Sequence, residues 1–456
     1  MASASPRRPD DALSRARTRT LFVLWTTYGS FYFCRANLGP VRTVLQHDLG
    51  ITAVEIGLVL GAVKLGYALG QLVNGQLTER FGPRRVLAVG MLGSACATLL
   101  VVATPALAGA PVVGPAAAVL ASLPGWLGLD ARATPVLGVL LALAAMNGWF
   151  QSGGWPPCVK IASRWFPVEQ RGFTMGVLGT SLTLGSTIAI AITGALLGFV
   201  GGWRVAFAVP AALLLISFVH TTLRVREHPP RPDSDPDVAT GKPDRMPIVE
   251  ALRATLGNPR IWVLALGLFG VDAVRYGFLD WAPGHLAETQ SSGVSVSAIK
   301  TAILPLAGAV GALSSGWITD RFFGSRRAPV CALLLGGVGA LTLAYRIAVN
   351  VGPAPTIVCL GLAGFCLYGA QILLVGTAAQ DFARKGATAA AAGFVDFMGH
   401  VGASCGDVVT GLARQRYGWD GAIGWWAIAA FLAAGIVATL WRARVGDPEE
   451  LRAGAR

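Results

Sequence analysis

Charge is what this sequence has least of. Only 13% of its 456 residues are Asp, Glu, Lys or Arg, where a soluble chain carries about a quarter. That scarcity, with a mean hydropathy of +0.58, excludes an ordinary water-soluble globule. Strand-length alternation is missing as well, which argues against a membrane β-barrel and leaves helices as the spanning element. The seven cysteines (Cys34, Cys96, Cys158, Cys331, Cys359, Cys366 and Cys405) lie within or at the edges of apolar runs. None has metal-ligand spacing, so they read as small apolar residues and not as a disulfide framework. The sequence shows no nucleotide loop, metal constellation or nucleophile–base motif, and neither enzyme chemistry nor a cofactor is expected. The N-terminal apolar run is too long for a cleavable signal and reads as a signal anchor.

What is present is a near-continuous series of apolar stretches, each close to the ~20 residues that cross a hydrocarbon core. The pattern predicts an all-α membrane protein with spans at 19–43, 53–77, 84–105, 134–158, 172–199, 203–222, 261–285, 296–319, 327–350, 354–380, 387–413 and 421–442. The Pro- and Gly-rich apolar stretch 104–133 reads as a loop or a partly embedded segment. The formal charge is +13, but its distribution argues against nucleic acid. Basic residues cluster in alternate loops: before the first span, at Arg80, Arg84 and Arg85, at Lys160, Arg164 and Arg171, and at Arg321, Arg326 and Arg327. The opposite loops hold scattered charges such as Arg42, Arg132 and Arg414. By the positive-inside rule, both termini and the 223–258 loop face the cytoplasm. The expected location is a cell inner membrane, with anionic lipid headgroups as the partners of this charge.

The chain divides at residues 223–258, where six prolines and mixed charges interrupt the apolar pattern. This predicts a cytoplasmic tail (1–18), an N-terminal six-helix bundle (19–222), a cytoplasmic linker (223–258), a C-terminal six-helix bundle (259–444) and a second tail (445–456). The halves resemble each other. Gly75, Glu79 and Arg80 in GQLTERFGPRR recur as Gly316, Asp320 and Arg321 in GWITDRFFGSRR, and Arg35 in the first span recurs as Arg275 in the seventh. The pair Gly202-Trp203 recurs as Gly418-Trp419 at a shorter offset, as if the first half held an insertion near 104–133. Both basic strings resemble the gating loops of the major facilitator superfamily, between helices 2–3 and 8–9. Internal repeats with the site at their interface are a transporter design.

Ionisable residues at mid-membrane cost roughly 2.5–3.5 kcal/mol on insertion scales and need a partner or a cavity. Arg35, Lys64, Asp272, Arg275, Asp396, His400 and Asp407 are the mid-span candidates. Helical spacing places Tyr28, Tyr32 and Arg35 on one face of helix 1, and Lys64, Tyr67 and Gln71 on one face of helix 2. Asn147, Gln151 and Trp155 share a face of helix 4; Thr180, Thr183 and Thr187 of helix 5; Asp396, His400 and Asp407 of helix 11. Tyr368 and Gln371 add a shorter pair on helix 10. A single stripe could be glue between helices, but six of them point to a shared aqueous cavity. Two arginines, one per half, suggest an anionic ligand, because guanidinium holds phosphate or carboxylate bidentately.

FYFCRANLGP around Arg35, NGWFQSGGWPPC at 147–158 and RYGFLDWAP at 275–283 resemble the organophosphate:inorganic phosphate antiporter family. TAAAAGF at 388–394 and YGWDG at 417–421 extend the resemblance over nearly the whole chain. It implies the major facilitator fold, two pseudo-symmetric six-helix bundles, and alternating-access transport of a small organophosphate or phosphonate. The coupling ion would be phosphate or a proton, and the working unit a monomer. The resemblance also implies that Arg35 and Arg275 bind phosphate, and that Tyr28, Tyr32, Tyr67, Tyr368 and Trp155 line the cavity. The chain departs from glycerol-3-phosphate carriers at a helix 2 lysine position, here Gln71, with Lys64 two turns earlier. It departs again at a helix 5 histidine, here Leu182, and at two tyrosine positions, here Asp272 and His400. The anion clamp is kept and the rest of the pocket is rewritten.

Three readings of the acidic residues stay open at this point. Asp272 could pair with Arg275, a carboxylate could receive a substrate ammonium group, or Asp396 and His400 could exchange a proton, since His titrates near physiological pH. Two other functions compete with transport: a membrane receptor that senses a sugar phosphate, and a multidrug efflux pump, against which the paired arginines argue.

Overall fold

The computed structural model describes residues 9–126, 128–166, 168–229, 248–324, 326–378, 382 and 387–443. Every element among the described residues is helical. Among the described residues, ten helices are long and apolar enough to cross a membrane. Two further crossings complete the twelve. The first consists of α1 (Pro9–Phe31) and α2 (Leu38–Leu49), separated by a short 3-10 turn at Tyr32–Cys34. The last two form one continuous 51-residue element, Thr388–Ala438, broken at Gly418 with φ 68° and ψ −161°. That left-handed φ is one that a residue with a Cβ rarely adopts, so YGWDG is a turn between spans.

The chain continues through α3 (Ala53–Phe81), α4 (Pro83–Val102), α5 (Thr104–Gly109), α6 (Val113–Trp126), α7 (Pro135–Gln151), α8 (Trp155–Trp165), α9 (Val168–Phe199) and α10 (Val205–Arg224). After α11 (Ile248–Leu256) come α12 (Pro259–Tyr276), α13 (Ala282–Thr289), α14 (Val294–Thr301), α15 (Ile303–Phe322), α16 (Arg327–Val351), α17 (Pro353–Ile372) and α18, the Thr388–Ala438 element. Local chemistry sets many of these ends. Thr52 and Glu55 form a reciprocal capping box at the start of α3, which satisfies two otherwise free amides. Gly82, at φ 87°, and Pro83 separate α3 from α4. The fourth span stops at Gln151 and resumes at Trp155-Pro156-Pro157, because proline removes a helical donor and clashes with the preceding turn.

The 104–133 segment is neither plain loop nor span: it folds into α5 and α6, with α6 packed along α7. A Cβ placed on Gly138 would sit 1.8 Å from the Ala117 carbonyl oxygen, so these two backbones touch. Close contact through glycine recurs where spans meet, as membrane packing without a hydrophobic driving force requires. Gly148 of α7 lies against the Val63 carbonyl of α3, and Gly402 of α18 against Phe269 of α12.

With twelve crossings, the described chain ends Pro9 and Ala443 fall on one face, and the loop 50–52, which follows the first crossing, falls on the opposite, far face. The halves meet chiefly where α3 packs along α18, with α14 and α15 against α9. Toward the far face, Gly57 and Gly61 of α3 press on the Asp407 and Ser404 carbonyls of α18. The first basic string places Gly75 and Arg80 at the end of α3, the second Gly316 and Arg321 at the end of α15. The side chains of Glu79 and Asp320 lie outside the described residues, as do 230–247 of the linker.

Candidate functional site

Between the halves lies a cavity of about 180 Å³. Its wall is drawn from both: Tyr28, Tyr32, Arg35, Tyr67 and Trp155 from the first half, and Arg275, Tyr276, Tyr368, Asp396 and His400 from the second. Further lining by Met175, Thr180, Leu313 and Val375 extends it toward the face of the chain ends.

Arg35 owes its position to the break in the first span. Where α1 unwinds, its last carbonyls lose intrahelical partners and need others. The α7 side chains supply them: Gln151 Nε2 donates to the Phe31 carbonyl at 3.0 Å, and Asn147 Nδ2 to that of Cys34 at 2.7 Å. Ser94 ties the two together, donating to Asn147 at 2.6 Å and accepting from Gln151 at 2.7 Å. The helix 4 stripe is therefore divided in its work. Asn147 and Gln151 hold the backbone on either side of Arg35, while Trp155 packs on Tyr28 with centroids 4.9 Å apart and faces the cavity.

Arg35 is surrounded by phenols and no carboxylate. Its Nη1 donates to Tyr32 Oη at 3.1 Å, and its guanidinium carbon lies 4.1 Å from the Tyr67 ring centroid. Its Nη2 is buried without a hydrogen-bond partner, an arrangement that costs free energy unless something accepts from it. Arg275 differs. Its Nε donates to Asp272 Oδ1 at 3.0 Å, both side chains almost wholly buried, and its guanidinium lies over Tyr276 and Tyr368. The helix opens into a π-turn at Gly277–Trp281, starting two residues after Arg275, and a second π-turn, Leu373–Ala378, follows Tyr368 and Gln371. Such turns recur at functional sites.

Asp396 faces the cavity and accepts a hydrogen bond from Gln71 Nε2. One turn on, His400 stacks on Tyr67, with centroids 4.3 Å apart and 20° between planes. Its Nδ1 lies 3.0 Å from the backbone carbonyl of Asp396 and 3.8 Å from the carboxylate. A carbonyl only accepts, so Nδ1 is the protonated nitrogen and Nε2 of the neutral ring is an acceptor.

Lys64 is placed elsewhere. Its Nζ lies 2.5 Å from Asp280 Oδ2 and 2.7 Å from Asp407 Oδ2, with all three side chains at most 7% exposed. Trp281 Nε1 donates to the other Asp407 oxygen at 3.0 Å. This is an ion triad between the halves, on the far side of the cavity, and Lys64 is not part of the cavity wall. Gln71 and Asp272 act through Asp396 and Arg275, and neither lines the cavity directly.

Several buried charges escaped the sequence reading, Asp280, Arg42 and Glu55 among them. Asp280 stands inside an apolar span in RYGFLDWAP, five residues after Arg275, and its sign among apolar neighbours was the available signal. Arg42 reads as a loop charge but is 2% exposed. It sits 4.5 Å from the Trp281 ring centroid and donates to the Trp281 carbonyl at 3.4 Å. The spans on either side of Arg42 give no hint of that partner, which lies 239 positions away.

The sequence matches the Major Facilitator Superfamily profile over residues 24–407. The chain belongs to the major facilitator superfamily. Among relatives, it is 29% identical to a glycerol-3-phosphate transporter of Bacillus subtilis, over 95% of this chain and 94% of that one. It is 23% identical to a probable hexose phosphate transport protein of Chlamydia muridarum, covering 93% and 90%. It is 26% identical to the membrane sensor protein UhpC of Escherichia coli, covering 93% and 91%. These relatives agree with the resemblance to organophosphate:phosphate antiporters, and they are carriers and sensors, so this superfamily member is not an enzyme. A solved bacterial homologue of the human lysosomal transporter Spinster, inward-facing and occupied, shares the fold with a TM-score of 0.70 at 17% identity, over 94% of this chain and 98% of that one. The superfamily fold places the two arginines, each from its own half, against one shared cavity.

Proposed function

We propose that this superfamily member carries a small phosphorylated or phosphonate anion across a cell inner membrane by alternating access. The observation that carries the reading is the buried, unpartnered Nη2 of Arg35, in a cavity whose other half contributes Arg275. An oxyanion bridging the two guanidiniums would receive charge-assisted donors in fork geometry and would draw the halves together, coupling binding to rocking. The named substrates of the relatives, glycerol-3-phosphate and hexose phosphate, support the substrate class. Phosphate exchange is the coupling reaction proposed, with proton coupling as its alternative. The cavity is complete within one chain, which supports a monomer as the working unit.

Both termini face the cytoplasm in this reading, so the cavity extends inward and the Lys64 triad closes the outer side. Reporter fusions after positions 230 and 450 are expected to read cytoplasmic; a periplasmic reading from one alone would overturn the helix count, and from both would reverse the orientation. The function is tested in proteoliposomes loaded with phosphate, where external organophosphates and alkylphosphonates are expected to drive phosphate efflux. A second reading, a membrane sensor of a sugar phosphate, is favoured by the UhpC relatives. It predicts binding of the same anions with exchange near background.

A further inference from the structure

The cavity holds a charge pattern that an anion alone does not use. Asp272 is committed to Arg275, so that pair contributes little net field. His400 is neutral when its Nδ1 proton is held by a carbonyl and no second proton is bound. What remains facing the cavity is one uncompensated guanidinium, Arg35, and one carboxylate, Asp396. Gln71 satisfies a single oxygen of that carboxylate, Oδ2. The Oε1 of the same Gln71 amide is buried without a donor. Asp396 Oδ1, Gln71 Oε1 and His400 Nε2 thus form a group of acceptors on or beside one wall. The rest of the lining offers donors: Arg35 Nη2 and the phenols around it. A buried carboxylate stays ionised only with compensating charge or donors; Arg275 and Arg35 share the cavity with Asp396 and act on it through space, whereas Lys64 and Arg42 are engaged beyond it.

We infer that the substrate is a zwitterion, a phosphate or phosphonate whose short organic part ends in an ammonium group that Asp396 receives. This rests on the phosphorus-anion reading above and names the other end of the same ligand. An ammonium brings three donors and no acceptor, which matches a wall that is short of donors. Arg35 and His400 both contact the Tyr67 ring, and Asp396 lies one helical turn from His400, so both binding ends belong to one cavity of about 180 Å³, which suits a short spacer. The geometry also bears on the proton reading: the His400 Nδ1 proton lies on the backbone carbonyl and not on the Asp396 carboxylate, so the pair is not set up for direct exchange.

The test is calorimetric binding to the purified full-length protein of 2-aminoethylphosphonate and of n-propylphosphonate, which has the same shape without the charge. The wild type is expected to bind the amino compound at least about tenfold tighter, the scale of one charge-assisted hydrogen bond. In Asp396→Asn that ratio is expected to fall to about one, and a change common to both ligands cancels in it. Asp396→Glu keeps the carboxylate and is expected to keep a preference of the same sign, so a poorly folding asparagine variant does not end the test. Equal affinities in the wild type would overturn the proposal, and so would a tenfold preference that survives in Asp396→Asn. Inorganic phosphate separates the two levels of the argument. Phosphate binding without an amino preference sinks only the zwitterion, whereas no binding of any phosphorus anion sinks the transport reading along with it.

Discussion

Arg35 and Arg275 are one type of side chain in two electrostatic situations. Arg35 sits among phenols with one Nη unpartnered, whereas Arg275 has its Nε held by Asp272. Both roles depend on the planar fork, which lysine lacks although it keeps the charge. Arg35→Lys and Arg275→Lys are each expected to lower phosphate exchange by about tenfold or more while the protein still elutes folded, at the wild-type volume. Near-normal exchange in either variant would remove that arginine from the clamp. The two should also differ in stability. Arg275→Lys loses the Nε–H donor to Asp272, a buried carboxylate with another oxygen already unpartnered, so the larger drop in melting temperature is expected there. At this scale the sequence was informative, since charges inside apolar spans are costly enough to be noticed. It could not say which charges pair with each other.

At the scale of elements, the ion triad shows that limit. Lys64 lies on α3, Asp280 in the π-turn after α12 and Asp407 on α18. Helical spacing put Lys64 on a face with Tyr67 and Gln71, and that much agrees with one helix. The long side chain nevertheless reaches away from the cavity toward two carboxylates of the other half. Removing one partner of a buried ion pair leaves uncompensated charge and costs about 3–5 kcal/mol. Lys64→Met is therefore expected to lower the melting temperature clearly, and adding Asp280→Asn and Asp407→Asn to it should recover much of the loss. A single Lys64→Met with unchanged melting would show that the triad does not stabilise this state. The breaks in the first and fourth spans belong to the same scale. Pro156 and Pro157 mark the second of these, although the sequence reading ran the fourth span straight through them. The first had no such marker, because it is stabilised by Asn147 and Gln151 of another helix.

For the whole molecule, alternating access requires that contacts beyond the cavity separate during the cycle. The halves approach closely there: a Cβ on Gly61 would lie 3.1 Å from Ser404 Oγ, within reach of disulfide geometry after small adjustment. Gly61→Cys with Ser404→Cys, in a Cys405→Ser background, is expected to cross-link on oxidation and to stop exchange, with reductant restoring it. Full exchange by completely cross-linked protein would mean that α3 and α18 never part at this level.

What the sequence determined by itself is whatever hydropathy, periodicity and repetition encode locally. That covers the twelve helical crossings, the division into two related halves, and a polar cavity with an arginine from each. These follow because each span must satisfy its own backbone in lipid and because a charge in an apolar run stands out against its immediate neighbours. Only the tertiary structure decided which polar residue does which work. It sent Lys64 to Asp280 and Asp407, set Asp272 on Arg275, buried Arg42 against Trp281, and left Arg35 and Asp396 facing the cavity. Most of those pairings join residues more than 200 positions apart. Their energy depends on which helix faces lie side by side, and no window along the chain contains that information.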